Sequence, residues 1–161
     1  MTPRKSATEA RLRELGIALP EPARPVANYV PFVLSGEQLV ISGQLPLGAD
    51  GAVSTDHKGK LGDTVFHEAG RAAARLCAIN VLAQARAAVG DLDRIARCVR
   101  LGGFINCRPD FAALAAIMNG ASDLMVEVLG DAGRHARSTV GVAELPLDAA
   151  VEVEALFEVR A

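Results

Sequence analysis

Between Asp63 and Val89, apolar residues recur at three- and four-residue steps. Val65, Ala69, Ala72, Ala73, Leu76, Ile79, Ala83 and Ala87 follow this rhythm, while Arg71, Arg75 and Arg86 fall outside it. A 3.6-residue period of this kind predicts a long helix with one face turned to a core, closed by Gly90-Asp91, and its many alanines suit close approach to a sheet. A second helix is expected from Pro109 to about Leu129, since proline is favoured in a first helical turn. A short amphipathic helix is expected at the start, opened by Thr2-Pro3, carrying Ala7, Ala10, Leu12 and Leu15, and ended by Gly16. The prolines of Leu19-Pro20-Glu21-Pro22-Ala23-Arg24-Pro25 cannot continue it, so that stretch reads as an extended connector.

The remaining apolar runs are short and alternate. Tyr29–Leu34 and Gln38–Ser42 flank Ser35-Gly36-Glu37, a hairpin signal. Ile95–Ile105 is rich in β-formers and interrupted by Gly102-Gly103, which predicts a strand with a bulge or bend there. His135–Val142 and the segment from Val151 read as two more strands, joined around Leu145-Pro146 into a final hairpin. The order is helix, strand, strand, helix, strand, helix, strand, strand. It predicts an α+β fold, a mixed sheet with two long helices on one face. Residues 1–27 would form the N-terminal helix and Pro-rich connector, and 28–161 a single domain. Valines and phenylalanines alternate along the strands, so the other sheet face is expected to be covered by association of copies.

Composition refines this picture in a few places. Half of the 161 residues are apolar but only 4% are aromatic and none is Trp, so the core must be built from Ala, Val, Leu and Ile. A net charge of −2 and a single tyrosine offer neither a basic field nor an aromatic platform, which argues against a nucleic-acid partner. The longest apolar runs fall well short of the roughly 18 residues of a spanning helix, so no membrane partner is expected. With no apolar signal-peptide core at the start, a cytoplasmic location is expected. Cys77, Cys98 and Cys107 lack CxxC spacing and read as reduced, buried thiols. His57, His67 and His135 are too dispersed for a zinc site, and the glycines form no phosphate-cradling fingerprint.

The candidate chemistry lies near the end of the chain. Strand alternation places Arg137 and Thr139 on one face, with Ser138, Val140 and Val142 on the other. In the last strand Glu152, Glu154 and Glu158 share one face, opposite Val151, Val153, Ala155 and Phe157. If the two strands pair as a hairpin, Arg137 comes near the level of Glu152. The pair is then either an ordinary exposed salt bridge on a sheet edge, worth little, or part of a site. An arginine fixed on a strand can grip a planar carboxylate through two parallel N–H bonds, which lysine cannot do. Tyr29 either packs a strand end or lines a cleft. Asn106-Cys107-Arg108-Pro109-Asp110 reads as turn and helix-cap chemistry, and Gly43 as a backbone residue after its strand.

These pieces together resemble the Rid family of reactive intermediate deaminases, also described as YjgF-like or L-PSP endoribonuclease-like. The resemblance rests on Tyr29, Ile41-Ser42-Gly43-Gln44-Leu45-Pro46, Gly51, Asn106 before Pro109-Asp110-Phe111, Ala136-Arg137-Ser138-Thr139-Val140, Leu145-Pro146 and Val151-Glu152-Val153-Glu154. It spans about Asn28 to Val159 and implies a chorismate-mutase-like fold, a homotrimer and clefts between subunits. It also implies hydrolysis of 2-imino acids and 2-aminoacrylate-like enamines to 2-keto acids and ammonia. Arg137 would clamp the substrate carboxylate, Glu152 would position water, and Tyr29, Asn106 and Thr139 would line the cleft. A protonated imine is already electrophilic, so the reaction needs no metal or cofactor. Thr139 stands where deaminase-active members commonly carry cysteine, Tyr29 is followed by Val30-Pro31, and His135 replaces a frequent proline, which marks a divergent subgroup. The competing readings are a non-catalytic trimeric binder of small carboxylates or keto acids, and an endoribonuclease.

Overall fold

In the computed structural model, residues 6–24 and 27–160 are described. The elements are α1 (Ala7–Glu14), β1 (Phe32–Ser35), β2 (Gln38–Gln44), α2 (His67–Val89), β3 (Ile95–Asn106), α3 (Leu114–Leu129), β4 (Ala136–Val142) and β5 (Val151–Val159), linked by loops and short 3-10 turns. The strands form one five-stranded sheet in the order β1-β2-β5-β3-β4. β3 and β4 run parallel, and every other neighbouring pair is antiparallel. The α+β expectation, with two long helices on one face of a mixed sheet, is met.

The core lies between that sheet face and the helices. Leu39, Ile41, Leu101, Ile105, Val153 and Phe157 of the strands meet the alanines of α2 and Ile117, Met118, Leu124 and Met125 of α3. Small residues let the helices themselves come close. A Cβ added at Gly120 of α3 would fall 2.0 Å from the Arg71 carbonyl oxygen of α2. At the helix rim the seam is charged, with Arg75 paired to Glu127 at 2.7 Å.

The predicted helix start at Thr2-Pro3 lies outside the described residues. Ser6 is the cap seen, accepting from the Glu9 amide. The helix is also tied to the body: Asp93 accepts from the Ala7 amide (2.8 Å), the Thr8 amide (2.9 Å) and the Thr8 hydroxyl (2.7 Å). Partial burial pushes the Asp93 carboxyl upward, but these bonds to Thr8 and Ala7 outweigh it and hold it at about 2. Leu12 enters the main core.

Four local expectations need correction. β4 and β5 do not form a hairpin, because β3 lies between them. The β3-α3-β4 unit is a crossover that lays β4 parallel to β3, so the chain must pass over the end of β3 to reach β5. Residues along that passage build a second small core, with Leu145 and Ala149 against Val53, Phe104 and Val142. The register breaks of β3 fall between Ile95 and Arg97 and between Cys98 and Arg100, not at its glycines. Gly102 and Gly103 instead make room: a Cβ would fall 2.6 Å from Oε1 of Glu154 at the first, and 2.5 Å from Sδ of Met118 at the second. α2 begins at His67, not Asp63, because Gly62 at φ 83 turns the chain and Leu61 pairs with Val65 and Cys107. α3 begins at Leu114, since Pro109 sits in a turn closed by the Phe111 amide on the Arg108 carbonyl. The first hairpin forms around Gly36, whose φ of 59 suits glycine, though β1 starts at Phe32 and leaves Tyr29 ahead of it.

Candidate active site

Arg137 sits on β4, an edge strand, opposite Leu101 of β3. Its side chain turns to the helix-covered face and reaches α3, where Nη1 donates to Oδ1 of Asn119 (2.9 Å) and to Oγ of Ser122 (3.1 Å). Ser122 in turn lies 2.9 Å from Nε2 of His135, whose Nδ1 lies 2.6 Å from the Gly133 carbonyl oxygen. Among the described residues no carboxylate pairs with Arg137. The guanidinium is therefore held by neutral groups, and among the described residues nothing accepts from Nε or Nη2. Two residues further along the same face, the buried Thr139 hydroxyl has no hydrogen-bond partner. Asn119 and Ser122 escaped the sequence reading. Their signal was an i, i+3 polar pair, Asn119 and Ser122, on a mostly apolar helix whose other polar residues, Asp123 and Glu127, pair with α2.

Glu152 belongs to the other face. It pairs across β5 with Phe104, and its half-buried side chain lies over Gly43 of β2. A Cβ at Gly43 would fall 2.0 Å from Oε1 of Glu152, so this glycine serves the carboxylate above it and not merely the strand end. The β2–β5 register also breaks between Ile41 and Gln44. Burial pushes the Glu152 carboxyl above the usual carboxylate range, and the charge of Glu154 acts in the same direction.

Arg137 and Glu152 therefore stand apart within one chain. Arg137 is level with Leu101 and Ala155, whereas Glu152 is level with Phe104 and Val140. They lie on opposite sheet faces, and the expected direct pairing fails because the hairpin it required does not exist. Tyr29 is 55% exposed ahead of β1, at the far edge of the sheet from β4. Asn106 is fully buried and its amide is engaged. It donates to Oε1 of Glu144 (3.2 Å) and to the Ala149 carbonyl (3.2 Å), and accepts from Nζ of Lys60 (2.6 Å). Asn106 thus fastens the loops before and after it.

The open sheet face carries Val33, Val40 and Val140, each near half exposed, around the acidic row of β5. All three cysteines are free and buried, as expected. Burial pushes the Cys98 thiol up to about 12, which removes it as a nucleophile near neutrality. Among the described residues no cluster of His, Cys, Asp or Glu could hold a metal ion, and no helix is long and apolar enough to cross a membrane.

A five-stranded mixed sheet backed by two long helices is an α+β architecture. Residues 9–159 match the family described as "YjgF/chorismate mutase-like, putative endoribonuclease", and the chain belongs to that family. Among its relatives, Protein TCP17 of Trypanosoma cruzi is 51% identical over 152 residues, covering 94% of this chain and 93% of that protein. The crystal structure of Atu1372 from Agrobacterium tumefaciens, a protein of unknown function, is 45% identical with a TM-score of 0.86, covering 95% of this chain and 94% of that one. Escherichia coli TdcF, solved with bound serine, is 26% identical with a TM-score of 0.64, covering 88% of this chain and 94% of that one.

Proposed function

We propose that this protein hydrolyses 2-imino acids and their enamine tautomers to 2-keto acids and ammonia, at sites shared between copies in a homotrimer. The observation that carries the reading is Arg137, a guanidinium fixed by Asn119 and Ser122 with no carboxylate of its own and one edge unspent. Such an edge fits a small carboxylate through two parallel bonds. The serine bound to TdcF belongs to the same chemical class of ligand.

Glu152 supplies the second function. A carboxylate whose pKa is raised by burial is better matched to taking a proton from water near neutral pH. Water adds to the electrophilic carbon of the protonated imine while Glu152 accepts the water proton. Glu152 returns that proton to the nitrogen of the tetrahedral adduct, the C–N bond breaks to release ammonia, and the hydroxyl gives up its proton to the departing ammonia or to water as the carbonyl forms. Catalysis of this kind is positioning: the substrate is anchored by its carboxylate and one water is steered to one carbon.

Because Arg137, Glu152 and Tyr29 are spread over two faces and two edges of one sheet, a complete site requires a second copy. The open face, with its exposed valines beside half-buried carboxylates, is the surface on which a neighbour would pack. The test is ammonia and keto-acid release from freshly generated 2-iminobutanoate, comparing the wild type with Arg137→Ala and Glu152→Gln. Acceleration that both substitutions remove is expected, with 2-oxobutanoate binding lost only in the arginine variant. Binding by the wild type without any acceleration over the spontaneous rate would instead favour a carboxylate-binding protein.

A further inference from the structure

Resting on the carboxylate-binding reading of Arg137, we propose that His135 is a positioning residue for that site, acting through Ser122. With a neutral imidazole, the partners set the direction of every bond. The Gly133 carbonyl can only accept, so Nδ1 of His135 carries the hydrogen of the 2.6 Å contact. Nε2 of the neutral imidazole is then an acceptor, and the Ser122 hydroxyl donates to it at 2.9 Å. With its only hydrogen committed, the Ser122 oxygen presents lone pairs to Nη1 of Arg137 at 3.1 Å. Asn119 takes the other hydrogen of the same nitrogen at 2.9 Å.

Both Nη1 hydrogens are consumed, and the guanidinium plane is set. What is left is the Nε–Nη2 edge, the side-on edge that carries two parallel donors. The substrate carboxylate is therefore received side-on. Without His135 to hold its hydrogen, the Ser122 hydroxyl is free to rotate and present that hydrogen toward Nη1, a donor facing a donor. The relay also joins three separate stretches of chain, the middle of α3, the loop before β4 and β4 itself, so it holds the edge strand against the helix at the site.

The experiment replaces the two ring nitrogens one at a time. His135→Gln keeps an acceptor near Nε2, and His135→Asn keeps a donor near Nδ1. Binding of 2-oxobutanoate is measured by calorimetry, and KM and kcat are measured for 2-iminobutanoate. Ser122→Ala and His135→Asn are expected to raise Kd and KM about tenfold, in line with losing one hydrogen bond to a charged group, with kcat changed by less than about twofold. His135→Gln is expected to restore most of the affinity. Rescue by His135→Asn and not by His135→Gln would show that the histidine merely pins the Gly133 turn, and would overturn the proposal. Normal affinity in both histidine variants and in Ser122→Ala, alongside loss in Arg137→Ala, would overturn the relay alone. Indifference of binding to Arg137→Ala would overturn the carboxylate-site reading and the relay with it.

Discussion

The helix-covered face and the open face of this sheet are made from the same strands, yet they solve different problems. On the covered face the alternation of β5 places Val151, Val153, Ala155, Phe157 and Val159 under α2 and α3, all at 4% exposure or less. Those apolar side chains are buried within one chain, and only at the β4 edge does this face keep unspent polar groups, on Arg137 and Thr139. On the other face the same strand carries Glu152, Glu154, Leu156 and Glu158, next to valines left near half exposed. A carboxylate pushed upward by burial and a like charge is a poor choice for stability, and such groups gather where chemistry is done. The covered face of β5 is all apolar core, whereas its open face sets carboxylates beside valines left near half exposed.

The largest expected effect breaks the covered face. Phe157→Ala removes a fully buried ring from the centre of the core and should cost about 3–5 kcal/mol in urea unfolding, as large cavities do. Val40→Lys, on the open face and paired with Leu156, should leave monomer stability within about 0.5 kcal/mol, as at ordinary surface sites. It should instead shift sedimentation from an oligomer to a folded monomer. If Val40→Lys unfolds the chain, the division between the two faces is wrong.

Smaller effects are expected at the α1 anchor and at Glu152. Asp93→Ala removes the side-chain anchor of α1 and should cost about 1 kcal/mol at pH 7, the typical loss of a helix cap. The folded carboxyl is depressed to about 2, so its contribution is full above the unfolded value and fades as pH falls through about 2. Wild type and variant should therefore converge in acid. Glu152→Gln should act in the opposite sense. Its folded carboxyl is raised, so ionised Glu152 costs stability above its folded pKa and nothing below the unfolded value. At neutral pH the glutamine variant should be slightly more stable, on the order of a few tenths of a kcal/mol because the group stays partly solvated, and equal to wild type in acid.

Much of the covered face was legible in the sequence, because periods of 3.6 and 2 report burial within one chain. The existence of α2, the hairpin around Gly36 and the strand from Ile95 all follow from local pattern. The stripe expected on α2 is offset, however: Ala72 and Ala87 are exposed, and the buried face runs through Ala73, Cys77, Ala78, Val81, Leu82 and Ala85, because alanines on every side of the helix leave its inner face undefined. The failures were non-local. Nothing between Val142 and Val151 says that β3 intervenes, since strand order depends on how α3 carries the chain across the sheet. Gly102 and Gly103 looked like a bulge because sequence cannot show what occupies the space beside a missing side chain, here Glu154 and Met118. At the site, Arg137 and Glu152 were singled out by strand alternation and family resemblance, but their placement on opposite faces required the topology. Asn106 looked available because its partners, Lys60 and Glu144, are distant in sequence. His135, Ser122 and Asn119 were not joined because a relay running from a helix to a loop has no period.

Under the proposed function, Arg137 and Glu152 act at one site only when they come from different copies. Subunit mixing tests it directly: Arg137→Ala and Glu152→Gln proteins, each inactive alone, are unfolded together, refolded and assayed on 2-iminobutanoate. Random assembly into rings should place an intact arginine beside an intact glutamate in about a quarter of the sites, restoring about that fraction of wild-type turnover. Turnover that stays at the spontaneous rate in oligomers proven to be mixed would contradict the shared site.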